Sequence, residues 1–106
     1  MPKFLVTAKY TAEGMKGLQK DKASGREKAV AAACAAVGGK LDAVYYALGD
    51  VDAYFVVDVP SHLHVAAFHV AVEASGMAST RTVPLLTVAE MDQALNQGTN
   101  YRPPGG

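Results

Sequence analysis

The stretch ALGDVDAYFVVDVP, residues 47–60, places Asp52 and Asp58 at either end of an apolar run suited to a strand. A carboxylate held between apolar walls has a raised pKa and can accept a proton, the shift that acid–base enzymes use. Beside a cation, the same group fixes an assembly instead. Lys9 and Arg81 are the cations expected to reach Asp52, with Tyr54 alongside. Structural ion-pair networks also perturb carboxylates, so the structural role is the one favoured for Asp52.

The segment HLHVAAFH, residues 62–69, offers His62, His64 and His69 as metal ligands. His62 and His69 share a helical face, but two turns separate them by roughly 10.5 Å, too far for one zinc with bonds near 2 Å. His64 points elsewhere, and the i, i+4 pair of helical metal sites is missing. The expectation is therefore ordinary histidines on a partly exposed helix face and no metal. A bond across subunits from His62 or His64, or a haem near His69, is the alternative. Tyr45, Tyr46 and Tyr54 read as a cross-strand aromatic group that packs at an interface. Cys34 lies in an alanine-rich stripe with no neighbouring cation, which suits core packing rather than nucleophilic chemistry. The glycines are scattered turn and stop signals, with no phosphate-cradling loop.

These residues need elements to position them. Lys3 to Tyr10 alternates with the two-residue period of a strand, Phe4, Val6, Ala8 and Tyr10 on one side and Lys3, Leu5, Thr7 and Lys9 on the other. Thr11 and Glu13 open a short, loose helical piece to about Lys20. Ser24 and Glu27 then form a capping box for a stronger helix, whose stripe is Val30, Ala33, Cys34 and Val37 and whose stop is Gly38-Gly39.

Two β-rich runs follow, Lys40 to Leu48 and Val51 to Val59, joined by a two-residue turn at Gly49-Asp50. That register sets Val44, Tyr46, Leu48, Val51, Ala53, Phe55 and Val57 on one face. Ala43, Tyr45, Ala47, Asp52, Tyr54, Val56 and Asp58 take the other. Ser61 caps a second helix to about Ala74, with Leu63, Ala67, Val70 and Ala74 inward and Gly76 as its stop. MASTRTVPLL is a fourth strand whose Pro84 suits an edge, and Thr87 to Glu90 is a capping box opening a short helix to about Gln97.

The order is that of an α+β, ferredoxin-like βαββαβ fold: a four-stranded, mostly antiparallel sheet with both helices on one face and a short C-terminal helix. Residues 1–98 form one domain, and 99–106 form an extended tail that either frays or anchors through Tyr101 and Arg102 on a neighbouring copy.

Bulk properties narrow the partners. The chain of 106 residues is half apolar, and ten Lys and Arg balance ten Asp and Glu. That allows a single modest core and provides no broad field for nucleic acid or an anionic membrane. One cysteine, no signal-peptide core and no run of about 18 apolar residues point to a soluble, cytoplasmic protein.

With both helices on one sheet face, the other carries Leu5, Tyr45, Tyr54 and Val56 beside Lys9, Asp52 and Asp58. A four-stranded sheet exposes several hundred Å² of such surface, more than a solitary soluble domain leaves open, and a second copy stacked about a two-fold axis would cover it.

FLVTAKYTAEGMKGL, GGKLDAVYYALGDVDAYFVVDVP, RTVPLLTVAE and YRPPG together resemble the GYD-domain proteins over nearly the whole chain. The resemblance implies a dimeric α+β barrel of poorly defined function. In the motif that names the family, Gly49 and Asp52 correspond, and Val51 stands where tyrosine is usual.

The functional expectation is an oligomeric small-molecule-binding or accessory protein. Its pocket lies between paired sheets and uses Lys9, Tyr45, Asp52, Tyr54 and Arg81 for a small carboxylate, with no cofactor. The alternatives are a cofactor-free isomerase or monooxygenase, in which substrate sits between helices and sheet or between subunits, and a purely structural assembly subunit.

Overall fold

The computed structural model describes all 106 residues. Its elements are β1 (Lys3–Tyr10), α1 (Ala12–Ala36), β2 (Lys40–Tyr46), β3 (Ala53–Asp58), α2 (His62–Ser75), β4 (Ala78–Leu85) and α3 (Val88–Leu95). The strands form one antiparallel sheet in the order β2-β3-β1-β4, the ferredoxin-like order. β3 and β1 are the two inner strands, and β1 keeps the alternation read from its sequence. Phe4, Val6 and Ala8 are buried against the helices, together with Phe55 and Val57 of β3. Val30 and Cys34 of α1 and Val65 of α2 complete this core on one side of the sheet.

Local chemistry fixes most element ends as expected. The Thr11 hydroxyl accepts from the Gly14 amide at 3.1 Å and starts α1. Gly38 and Gly76 adopt the left-handed conformation, with φ of 80° and 71°, and turn the chain out of α1 and α2. Thr87 and Glu90 form the reciprocal capping box of α3. Pro84 lies in β4, an edge strand, where its missing N–H breaks no ladder.

Three expectations are corrected. First, the short helical piece and the stronger helix are both present within α1 (Ala12–Ala36), but they meet directly at a kink at Lys22, whose φ of 66° and ψ of 164° are not helical. The break stands two residues before Ser24, so Ser24 falls inside the second half and the Ser24–Glu27 capping box does not form.

Second, the β2–β3 connection spans residues 47–52 rather than two residues. The predicted register survives from Tyr46–Ala53 to Ala43–Val56, after which a bulge between Leu41 and Ala43 shifts it. The exposed Leu48 has no core to face, so the strand tips open into a loop.

Third, α2 turns a different face inward: Val65 is buried and Phe68, His69 and Val72 are half-buried, whereas Leu63 and Val70 are exposed. The helix is apolar almost all round, so two stripes of helical period compete. The one carrying the bulkier Phe68 is buried.

α1 and α2 scarcely touch one another. Each packs on the sheet and leaves a groove between them. Every residue from Leu86 onward is exposed, and the fold is elongated at 56 × 33 × 23 Å. No helix is long and apolar enough to cross a membrane.

Candidate functional site

The sheet face turned away from α1 and α2 is a grid of four rows running from β2 to β4. The first row is Lys40, Asp58, Lys3 and Leu85, and the second is Ala43, Val56, Leu5 and Val83. The third is Tyr45, Tyr54, Thr7 and Arg81. In the fourth, Asp52 joins Ala47 and Ala8 through backbone hydrogen bonds of 2.9 and 2.8 Å, so that its side chain lies beside Lys9. Strand pairing thus sets an apolar row and an aromatic row between two charged ones.

The charged rows are internally satisfied. Lys3 Nζ meets Asp58 Oδ1 at 2.9 Å and also pairs with Asp42, while Lys40 Nζ lies 3.3 Å from Asp42. These contacts hold the Asp42 carboxyl below its ordinary range, chiefly through Lys3, and raise the Lys3 ammonium, chiefly through Asp42. At the other end, Asp52 Oδ2 accepts the Tyr10 amide at 2.8 Å, and Lys9 Nζ lies 3.4 Å from Oδ1. Both strand carboxylates are nine-tenths buried because each has local partners on the same sheet.

Of the five site residues expected from sequence, all lie on this face, but they do not converge as one cluster. Tyr45 and Tyr54 are directly opposed across β2 and β3. Lys9 and Asp52 form a pair one row away. Arg81 stands opposite Thr7, in the tyrosine row, and forms no ion pair; it does not bond Asp52, because β1 lies between their strands. Tyr45 on β2 is 72% exposed and Val83 on β4 51%, so the face is most open at its two edge strands, while Leu5, Thr7 and Val56 between them are half-buried.

A family model described as GYD domain matches residues 4–95. The chain belongs to the GYD domain family. Comparisons with curated proteins and with solved structures give no match.

In this GYD domain the motif residues have different surroundings. Gly49 is an exposed loop residue with open space around it, Val51 is half-buried, and Asp52 does the structural bonding. Two of the histidines make separate contacts: His64 Nδ1 lies 3.4 Å from Ser61 Oγ, and His69 Nδ1 is 2.8 Å from Thr80 Oγ1. No group of three or more His, Cys, Asp or Glu side chains is placed to hold a metal. Cys34 is buried, and burial pushes its thiol up, with Asp58 adding to the shift.

Sequence reasoning missed the Lys3, Asp42 and Asp58 cluster, whose signal was a lysine at the first position of β1 and an aspartate at the last of β3. It also missed the inward His69, which followed from choosing the wrong α2 stripe.

Proposed function

We propose that this GYD domain is a self-pairing, small-molecule-binding module. Two copies stack through their open sheet faces, Leu5, Val56 and Val83 forming the apolar centre and the charged rows its rim. Lys9, Tyr45, Tyr54 and Arg81 border an inter-sheet pocket, with Arg81 as the cation that receives a small carboxylate. Asp52 shapes the margin by holding Lys9.

The observation that carries this reading is the ordered grid itself, a partly open apolar row and an exposed tyrosine pair flanked by ion-paired rows, which is the layout of an interface core and rim. A catalytic role would need Asp52 free to take a proton. Its contacts with the Tyr10 amide and Lys9 support a structural role instead.

Native mass spectrometry at micromolar concentration tests the pairing, with a dimer expected for the natural chain and a monomer for Val56→Glu. Arg81→Ala is expected to remain a dimer and lose benzoate binding in calorimetry. A monomeric natural chain would end the proposal.

A further inference from the structure

The groove between α1 and α2 lies on the opposite side of the sheet from the pairing face, and its composition changes along its length. One end is a cavity of about 300 Å³ whose twelve lining residues include one that is not hydrophobic, His64. The neighbouring compartment, about 370 Å³, shares Val6, Val30, Phe55 and Phe68 with it and adds Tyr10, Asp21, Arg26 and Thr80. The four shared residues make the two compartments one continuous groove with an apolar end and a polar end.

We infer that this groove binds an amphipathic carboxylate, its hydrocarbon part in the cavity beside Cys34, Val57 and Phe68 and its carboxylate on Arg26. Two observations support the assignment. An apolar cavity of roughly 150 Å³ stays dry and takes a benzene-sized guest, and this one is larger, within the low end of ordinary ligand pockets at roughly 300–1,000 Å³. The core around it is also unfinished: no large side chain is fully buried, and Val6, Val30, Phe55 and Val65 each retain some exposure. A hydrocarbon guest removes that surface from water.

At the polar end, Arg26 makes a single ion pair, with Asp21 at 3.7 Å, and both side chains are well exposed. A guanidinium has five N–H donors and prefers two parallel bonds to one carboxylate, so it has donors to spare for a ligand. The groove is recessed between two helices and opens beside them, which suits a narrow molecule rather than a protein surface.

Cys34 is the chain's one cysteine and lines the cavity, so its alkylation by N-ethylmaleimide reports occupancy. Decanoate at ten times its dissociation constant is expected to slow the reaction by about tenfold. Ala67→Phe and, separately, Ala33→Phe put a ring into the cavity from the two helices. Each is expected to abolish protection by decanoate while the native mass and circular dichroism stay those of the natural chain. Arg26→Gln is expected to weaken decanoate by about tenfold and leave decanol unchanged.

Unchanged alkylation of the natural chain in decanoate would overturn the site. So would equal protection in a variant that circular dichroism shows to be folded with its cavity filled. Decanol or decylammonium protecting as well as decanoate would overturn the assignment of Arg26. Because none of these readouts involves the sheet face, dimer loss and loss of decanoate binding are separable results.

Discussion

Tyr10 donates its backbone N–H to Asp52 Oδ2 at 2.8 Å, tying the end of the central strand to the residue that leads into β3. The contact gives Asp52 a mechanical task. It closes one backbone donor at the sheet's end and, through Lys9, neutralises its own charge. Asp52→Asn keeps an acceptor for the Tyr10 amide and is expected to cost less than about 1 kcal/mol in urea denaturation, because the 3.4 Å pair it gives up has its lysine end in solvent. Asp52→Ala leaves the amide without a partner and is expected to cost about 1–3 kcal/mol. Equal effects of the two variants would show that the hydrogen bond is not what the carboxylate supplies.

Gly14 and Gly17 sit one turn apart in α1 and are expected to respond in opposite directions. A Cβ on Gly14 would stand 1.9 Å from the Met77 carbonyl oxygen, a backbone atom that cannot swing aside. Thr11 also donates its amide to that carbonyl at 2.9 Å, so the start of α1 and the start of β4 are held at their closest approach. Gly14→Ala must separate them, and a loss of about 2–4 kcal/mol is expected, the range of overpacked or broken buried contacts. Nothing lies within 4 Å of a Cβ on Gly17, and its helical backbone suits alanine. Gly17→Ala is expected to stabilise by about 0.5–1 kcal/mol. Thermal unfolding of both variants beside the natural chain checks the pair.

How far the sequence revealed this fold depends largely on whether a feature rests on neighbours in the chain or on partners in space, although two local readings, the Ser24–Glu27 box and the two-residue turn at Gly49-Asp50, did not form. The alternation of Lys3 to Tyr10, the Thr11 and Thr87 caps and the turns at Gly38 and Gly76 are local, and all formed where the residues indicated. The β2–β3 register was legible from Tyr46–Ala53 to Ala43–Val56, because a two-residue period with one buried face on β3 leaves little choice, whereas the bulge before Ala43 was not.

The inward face of α2 was not legible, since Leu63 and Val70 make as good a stripe as Val65 and Val72 until the sheet is there to choose. Nor was the site's layout. Arg81 and Asp52 share a face by alternation, but only the strand order β2-β3-β1-β4 puts β1 between them.

Thr82 Oγ1 is buried on β4 without a hydrogen-bond partner, two residues from Thr80, whose hydroxyl is engaged by His69. The two threonines face the same side of the sheet, so the contrast isolates the cost of an unpaired hydroxyl. Thr82→Val keeps the shape and the strand propensity and removes the orphan group. It is expected to stabilise the fold by about 1 kcal/mol or more, whereas Thr80→Val, which strands the His69 ring nitrogen, is expected to destabilise by about 1–3 kcal/mol. Chemical denaturation of the two variants decides; a destabilised Thr82→Val would mean that its hydroxyl has a partner in solution.

Tyr46 carries the pH dependence most open to measurement. Burial pushes its hydroxyl up to about 12, with Tyr10 raising it further and Arg26 opposing. A folded value above the ordinary tyrosine value near 10 means that the unfolded chain loses this proton first. The contribution of Tyr46 to stability is therefore complete below about pH 10 and fades as pH rises through about 12. Absorbance at the tyrosinate band should show a late step near pH 12 from Tyr46. Tyr46→Phe should remove that late step. Loss of the late step in Tyr45→Phe instead would reassign it to the open face, since Tyr45 and Tyr46 point to opposite sides of β2.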